Sequence, residues 1–150
     1  MADTLLVRLA PGTEGIRDWL LVDAEGRIKT PVQIGVPSDA VVAGARRIVA
    51  LVPGEQVALH EARVPGRNRQ RVLRAIPFAL EEQLASDVDE LHFALGQALD
   101  EDRYPVAVVE RVQMDAWVET LRGAGISAHQ WVPETLALPH GEGWDLLTEA

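Results

Sequence analysis

The chain has 150 residues, 47% of them hydrophobic and 25% charged, and its formal net charge is -9 at pH 7. This composition is typical of a globular protein that buries a core, and it excludes an intrinsically disordered chain and a coiled coil. The acidic balance argues against general nucleic-acid binding, because Lys and Arg are what neutralise phosphates. The sequence contains no cysteine, which excludes disulfides and thiolate metal sites and fits a reducing compartment.

The sequence shows no membrane or export signal. No stretch approaches the ~20 apolar residues that a membrane helix needs. The first residues, Met1–Arg8, lack the cationic and apolar segments of a secretory signal. We therefore expect the 150-residue chain itself to be soluble.

The first third of the chain is predicted to form a small sheet. Short β-rich runs separated by turn residues predict an antiparallel three-stranded meander over Leu5–Leu9, Trp19–Val22 and Arg27–Ile34. A short helix over Ala40–Ala45 and a buried strand over Arg46–Val52 follow.

The rest of the chain alternates between strand and helix patterns. Predicted strands and helices, in chain order, are the strand Val57–Val64, the helix Asn68–Ala85, the strands Leu91–Leu95 and Pro105–Val109, a helix marked by Met114 and Leu121 that ends at Gly125, and the strand Ile126–Val132. Their order is β-α-β-β-α-β, a split βαβ arrangement. A helical turn over Pro133–Leu138 comes next. Trp144–Leu147 are predicted to begin a strand whose partners lie beyond Ala150, as in a piece of a longer protein.

The helix predicted over Asn68–Ala85 has the clearest pattern in the chain. Its apolar residues recur every four positions, and one neighbour widens the stripe: Val72, Ile76, Leu80 and Leu84, with Leu73 beside them. Pro77 lies inside the helix and is expected to kink or split it, because proline lacks the N–H that a helix interior needs.

Residue patterns for catalysis or cofactor binding are missing. The four histidines show no metal-ligand spacing with each other or with carboxylates on a predicted helix. The sequence has no nucleophile frame of the G-x-S-x-G type and no glycine-rich phosphate loop. Glu81 and Glu82 are adjacent, so on a helix they point about 100° apart and do not converge for acid–base work. We expect no enzyme activity, no cofactor and no metal.

A basic cluster at the start of this helix is the most informative feature. Arginines at positions 67, 69, 71 and 74 crowd its N-terminus, while its far end is followed by acidic residues from Glu81 to Glu90. Both groups oppose the helix macrodipole, which favours acids at the N-terminus and bases at the C-terminus. Two explanations stay open: the arginines pair within the molecule, or they meet an acidic partner or membrane surface. Phe78 lies off the apolar stripe and is a further candidate for partner binding, with packing against a neighbouring strand as the open alternative.

Several runs resemble the cytoplasmic region of type II secretion system protein L. They are Ile48–Glu55 (Ile-Val-Ala-Leu-Val-Pro-Gly-Glu), His60–Pro65, Ala75–Ala85 (Ala-Ile-Pro-Phe-Ala-Leu-Glu-Glu-Gln-Leu-Ala) and Leu91–Gly96, continued by Pro105–Val109, Met114–Gly125 and Val132–Pro139. The Pro-Phe-Ala-Leu-Glu-Glu segment is the most specific of them. The first 45 residues match only in pattern.

The resemblance implies an architecture. It implies a mixed α/β fold: a ribonuclease-H-like, actin-like lobe made of residues 1–54 and 126–150, with residues 55–125 inserted as the β-α-β-β-α-β subdomain. The second lobe, a single membrane helix and a periplasmic domain would then lie beyond Ala150.

The resemblance also implies a function. Proteins of this family recruit the secretion ATPase, protein E, to the cytoplasmic face of the bacterial inner membrane and pair with protein M. A non-catalytic scaffold is therefore expected, with Arg67, Arg69, Arg71, Arg74 and Phe78 as candidate partner-binding residues and a homodimer left open. The alternatives are an actin-like nucleotide-binding protein and a type IV pilus assembly scaffold of the same fold. Against nucleotide hydrolysis, the stretch Arg8–Gly12 lacks the aspartate of the actin-like phosphate loop.

Overall fold

A computed structural model describes residues 3–12 and 14–137 of the chain. The strands are β1 (Thr4–Leu9), β2 (Ile16–Val22), β3 (Ile28–Ile34), β4 (Arg47–Val52), β5 (Ala58–Arg63), β6 (Leu91–Leu95), β7 (Arg103–Glu110) and β8 (Gln130–Pro133). The helices are α1 (Asp39–Gly44), α2 (Arg69–Leu80) and α3 (Arg111–Gly123). The chain divides into two compact units: unit 1, Met1–Gly54 with Ala116–Ala150, and unit 2, Glu55–Asp115.

Unit 1 contains a five-stranded sheet in the order β3-β2-β1-β4-β8. The first three strands form the predicted antiparallel meander, which is confirmed, whereas β4 runs parallel to β1 and to β8. Alternation along β1 buries Leu5, Val7 and Leu9 on one face, as the two-residue period of a strand requires. Trp117 and Leu121 of α3 are also buried.

The turn between β2 and β3 is organised by Asp23. One carboxylate oxygen of Asp23 accepts hydrogen bonds from the backbone N–H groups of Arg27 at 2.9 Å and Glu25 at 3.0 Å. The other accepts from the Arg27 guanidinium at 2.9 Å. These bonds, the backbone bond from Arg27 above all, lower the pKa of Asp23, because they favour the charged carboxylate. Gly26 supplies the positive φ of 80° that the turn needs.

Strand β8 corrects one part of the sequence prediction. The chain order β-α-β-β-α-β is confirmed, but its last strand begins at Gln130 rather than Ile126 and pairs with β4 in unit 1. His129 determines this placement. Its backbone N–H donates to the Ile48 carbonyl at 2.8 Å, and its Nδ1 accepts from the Ile48 N–H at 3.0 Å. The split βαβ arrangement therefore does not close into a single sheet.

Unit 2 is a three-stranded antiparallel sheet, in the order β5-β7-β6, with α2 packed against it. Its core is formed by residues from every one of these elements and the loop after β5: Ala62, Val64, Val72, Ile76, Leu80, Leu91, Tyr104, Val106 and Val108. The residues that β7 contributes to the core are every second residue of that strand, so they all lie on one face of it.

Helix α2 is shorter than predicted. It ends at Leu80, and Glu81–Gln83 form a 3-10 turn instead of continuing to Ala85. Pro77 does not split the helix, which runs through it without a break. Leu84 is partly buried against the core, whereas Leu73 is 41% exposed and does not widen the buried stripe. Two acidic residues directly after Leu80 are unfavourable for further helix, because they meet the negative end of the macrodipole.

The remaining predictions divide between confirmed and untested. The mixed α/β class is confirmed, and the predicted turn after β8 is a 3-10 helix over Glu134–Ala137. Leu138, Pro139 and the strand predicted at Trp144–Leu147 lie outside the described residues. The assignment of the chain to a first actin-like lobe and an inserted subdomain stays a prediction. Within residues 3–12 and 14–137, no helix is long and apolar enough to cross a membrane.

Two substitutions on opposite sides of α2 test this packing. Leu80→Ala should lower the free energy of unfolding by about 2–5 kcal/mol, because Leu80 is fully buried and its truncation leaves a cavity. Phe78→Ala, on the same helix but 73% exposed, should change it by less than about 0.5 kcal/mol. Urea denaturation followed by circular dichroism measures both. Equal losses from the two substitutions would contradict the orientation of α2 described above.

Candidate docking surface

Helix α2 has a buried side and an outward side. Val72, Ile76 and Leu80 are at most 1% exposed and face the sheet. Each helical residue is rotated by about 100° from the previous one, so residues two positions from Ile76 lie on the opposite side. Phe78 and Arg74 occupy those positions, and both are exposed. We call the surface formed by Arg71, Arg74, Phe78, Glu81 and Glu82 the outer face of α2.

The start of α2 is capped by a side chain. Asn68 precedes the helix, and its side-chain oxygen accepts a hydrogen bond from the backbone N–H of Arg71 at 3.2 Å. This bond satisfies one of the four N–H groups that a helix leaves without a partner in its first turn. The cap fixes where the helix begins and therefore which arginines precede it.

Arg69 is separated from the other arginines by its contacts. Its guanidinium donates one hydrogen bond to the Gly96 carbonyl at 3.0 Å and a second to the Leu95 carbonyl. These carbonyls lie at the end of β6, so Arg69 ties the start of α2 to the edge of the sheet. The intramolecular role that the sequence left open is thus seen for Arg69, and its partners are backbone carbonyls rather than carboxylates.

The other three arginines of the cluster are exposed and carry no partner within the described part of the chain. Arg71 and Arg74 lie on the outer face of α2, and Arg67 precedes the cap. None of the three makes an ion pair or a side-chain hydrogen bond with residues 3–12 or 14–137. Arg67 and Arg71 lie at the positive end of the helix dipole, whereas Arg74 is the sixth of the 12 residues of α2.

An aromatic residue and two acids complete the outer face. Phe78 follows Arg74 by one helical turn and is 73% exposed, which is unusual for a large aromatic residue. Glu81 and Glu82 follow in the 3-10 turn and are also exposed. From its start to its end, the outer face of α2 is therefore first basic, then aromatic, then acidic.

A cavity lined largely by polar and charged side chains lies beside the start of α2. Its volume is about 450 Å³, and its lining residues are Arg67, Arg69, Gln97, Ala98, Asp100, Glu101 and Tyr104. The Tyr104 hydroxyl donates to the Gly66 carbonyl at 2.9 Å and is therefore engaged in the structure of unit 2. No cluster of three or more His, Asp or Glu side chains that could hold a metal ion occurs among the described residues.

Asp100, which lines this cavity, has a lowered pKa, and its contact with Arg103 explains the shift. The Arg103 side chain donates to the Asp100 carboxylate at 2.7 Å, and this hydrogen bond lowers the pKa of Asp100. Both groups are solvent-exposed, so the pair is a surface ion pair of small energetic weight. It organises the loop before β7 and does not prepare an acid or base for proton transfer.

The sequence pattern placed Phe78 off the apolar stripe but left open whether it is exposed or packs against a strand, and it missed the role of Arg69. The structure shows that Phe78 is exposed. The Arg69 contact could not be predicted, since its partners are backbone atoms 26 and 27 residues further along the chain.

Comparisons with known proteins place the chain in a family. The family model for type II secretion system (T2SS), protein L, matches residues 5–149. A type II secretion system protein L from Dickeya chrysanthemi is 34% identical over 149 residues, which is 96% of this chain and 37% of the relative. A protein of the same name from Klebsiella pneumoniae is 40% identical over 111 residues, or 73% of this chain and 28% of the relative. The matched regions thus span between about a quarter and little more than a third of the length of these relatives.

Solved structures show the same fold. The cytoplasmic domain of EpsL, an inner membrane component of the type II secretion system of Vibrio cholerae, superposes with a TM-score of 0.71 and 23% identity, over 94% of this chain and 61% of that one. The PilM-PilN type IV pilus biogenesis complex matches with a TM-score of 0.53 and 18% identity, over 91% of this chain and 48% of the other. At these identities the likeness concerns the fold.

The different contacts of the arginines predict different effects on stability. Arg69→Ala should lower the free energy of unfolding by about 0.5–1.5 kcal/mol, because two carbonyl groups lose their hydrogen-bond donor. Arg71→Ala, which removes no contact to a described residue, should change it by less than about 0.5 kcal/mol. Thermal and chemical denaturation measure both variants. A loss at Arg71 as large as that at Arg69 would show that Arg71 is structural.

Proposed function

The chain belongs to the type II secretion system protein L family, and from this premise we propose that it is a non-catalytic scaffold that docks the secretion ATPase, protein E. The full-length protein would hold the ATPase at the cytoplasmic face of the inner membrane and would also pair with protein M. The observation that carries the proposal is the outer face of α2, which presents two arginines without a partner among the described residues beside an exposed aromatic side chain.

The arginines favour an acidic partner surface. Arg71 lies in the first turn of α2, where a cation costs about 0.3–1 kcal/mol, and Arg74 lies almost one turn further along the helix. A carboxylate supplied by a partner offsets that cost. Arginine suits this role, because its planar guanidinium can donate two parallel hydrogen bonds to one carboxylate.

Phe78 supplies the apolar part of the proposed contact. Binding energy at protein interfaces concentrates in a few aromatic and arginine residues that become buried on association. Phe78 lies one turn from Arg74, so the two side chains form a single patch on α2. Since Phe78 contributes little to the folded core, its exposed ring is available to a partner.

The membrane part of the proposal depends on the relatives. The structurally similar EpsL is by its name an inner membrane component of the secretion system of Vibrio cholerae. We extend that location to the full-length protein, with this chain on the cytoplasmic side. The chain contains no cysteine, which is in keeping with a reducing compartment.

The main alternative is an actin-like protein that binds and hydrolyses ATP. The turn between β1 and β2, where an actin-like phosphate loop would lie, contains Pro11, Gly12 and Glu14 but no aspartate to organise a magnesium ion. This supports a scaffold over a hydrolase. A pilus assembly scaffold of the same fold is less favoured, because the family model that matches is that of protein L.

Charge reversal on the outer face tests the docking proposal. The double variant Arg71→Glu with Arg74→Glu should weaken binding of purified secretion ATPase about tenfold or more, since two attractions become repulsions. Isothermal titration calorimetry at low salt measures the affinity. Arg46→Glu with Arg122→Glu changes the net charge by the same amount at two exposed positions in unit 1 and is the matched control.

The control and the melting temperature make the result specific. If both double variants weaken binding equally, net charge alone is responsible and the docking proposal fails. It also fails if the outer-face variant melts like the wild type and binds the ATPase equally tightly. Weakened binding of the outer-face variant alone, with unchanged melting, is the result we expect.

A separate measurement tests the absence of catalysis. Incubated with ATP and Mg²⁺, the purified chain should release no phosphate above the buffer background, because the sequence lacks a glycine-rich phosphate loop and the described residues contain no metal-binding cluster. A coupled phosphate assay is the measurement. Turnover that co-purifies with the chain through successive columns would support the nucleotide-hydrolysing alternative.

A further inference from the structure

Three cavities adjoin one another at one end of the three-stranded sheet of unit 2. Glu110, the last residue of the central strand β7, lines all three of them, and their volumes are about 350, 430 and 290 Å³. On one side of β7, Glu110 lies opposite Leu91, the first residue of β6. On the other side, continuing the register of β5 and β7 places Gln56 opposite Glu110. We call the surface formed by the three cavities the Glu110 groove.

The Glu110 groove is acidic. Four carboxylates and one guanidinium line it, from Glu55, Glu90, Glu110, Asp115 and Arg111. The Arg111 guanidinium donates to the backbone carbonyl at the start of β6 at 3.3 Å, so it is engaged with the backbone rather than with a carboxylate. Within residues 3–12 and 14–137, none of the four carboxylates makes an ion pair or a side-chain hydrogen bond.

The groove also contains a buried amide oxygen. The Gln56 side chain donates through its Nε2 to Oε1 of Gln113 at 3.2 Å. The Oε1 of Gln56 is buried, and it accepts no hydrogen bond from the part of the chain that the structure describes. A buried acceptor without a donor is unfavourable, because it has lost its hydrogen bonds to water. A bound group with N–H donors would satisfy it.

Apolar side chains lie between the polar groups of the groove. Leu84, Leu91 and Val108 line the same cavity as Gln56. Val112, the second residue of α3, is 73% exposed and lines the neighbouring cavity. Carboxylates beside apolar side chains suit a long side chain that has an aliphatic stem and a cationic head.

We propose that the Glu110 groove binds a basic segment of a partner protein, with one arginine side chain of that segment entering the cavity lined by Glu55, Gln56 and Glu110. A guanidinium group carries five N–H donors and no acceptor, which matches two carboxylates and one amide oxygen. Because the four carboxylates are spread over three adjoining cavities, the occupant carries several cations along a chain rather than one compact cation. Glu90 and Asp115 meet the further cations of the segment.

The groove is separate from the surface proposed to dock the ATPase. It shares no residue with the outer face of α2, so this inference does not rest on the proposed function. Its carboxylates are exposed, and salt screens attractions between exposed charges. Binding in the groove should accordingly weaken as the ionic strength rises.

Two short peptides of equal charge test the site. Acetylated and amidated tetra-arginine and tetra-lysine are titrated into the ¹⁵N-labelled chain at low salt, and NMR follows the side-chain amide signal of Gln56. Tetra-arginine should shift that signal and bind about tenfold more tightly than tetra-lysine. The reason is that an ammonium group lacks the planar fork that donates to several acceptors at once.

Two pairs of substitutions separate the groove from the overall charge of the chain. Glu55→Gln with Glu110→Gln should weaken the binding of tetra-arginine about tenfold or more. Glu81→Gln with Glu82→Gln is the matched control, because it removes the same charge from exposed positions in the same unit. The control should change the affinity less than about twofold.

Gln56→Met distinguishes a binding role from a structural one. Methionine has a similar length but offers no amide oxygen, so tetra-arginine should bind about fivefold more weakly. The melting temperature should stay unchanged, because the substitution also removes a buried oxygen that has no partner among the described residues. Unchanged affinity together with early melting would show that Gln56 is purely structural and would overturn the proposed arginine site.

Three further results would overturn the proposal. The first is that tetra-arginine leaves the Gln56 signal unchanged up to about 10 mM. The second is that the two pairs of glutamate substitutions weaken binding equally, which would attribute the attraction to the net charge of -9. The third is that tetra-lysine binds as tightly as tetra-arginine. If the groove pair melts early, Glu110→Gln and Glu82→Gln are compared in its place under the same criteria.

Discussion

The burial of one side of α2 against the three-stranded sheet is the constraint on which the functional surface depends. Val72, Ile76 and Leu80 are removed from water by β6 and β7, and each fully buried side chain of this size contributes about 1.5–3 kcal/mol. Once these three residues point inward, the helical repeat determines that Arg74 and Phe78 point outward. The proposed docking surface is therefore a consequence of core packing rather than of a separate binding loop.

The charges on α2 are arranged in the opposite order to the one that stabilises a helix. A helix chosen only for stability has acids in its first turn and bases in its last turn. Here the bases come first and the acids last, and three of the arginines find no partner in the described part of the chain. The fold tolerates this cost because α2 is held by its apolar side, by the Asn68 cap and by the Arg69 contacts to β6. An unfavourable arrangement that the fold must support is typical of a surface retained for binding.

Whether a feature could be predicted from the sequence depends on how far apart along the chain the interacting residues are. Local periodicity predicted α2, the meander of β1 to β3 and the position of Phe78 off the apolar stripe, since a few neighbouring residues determine them. The end of α2 was predicted wrongly, because Glu81 to Gln83 favour helix by themselves but lie at the negative end of the dipole. The place of β8 beside β4 and the binding of Arg69 to the end of β6 depend on residues 26 to 83 positions away, which no local pattern reveals.

The central claim is that the outer face of α2 contacts the secretion ATPase, and site-specific photo-cross-linking tests it most directly. A benzophenone amino acid in place of Phe78 would report on that face. The same group in place of Leu59, which is also exposed and lies on β5 of the same unit, would report on another surface. We expect irradiation with the purified ATPase to cross-link the chain through position 78 and not through position 59. Cross-linking through position 59 alone would place the docking surface elsewhere and contradict the account.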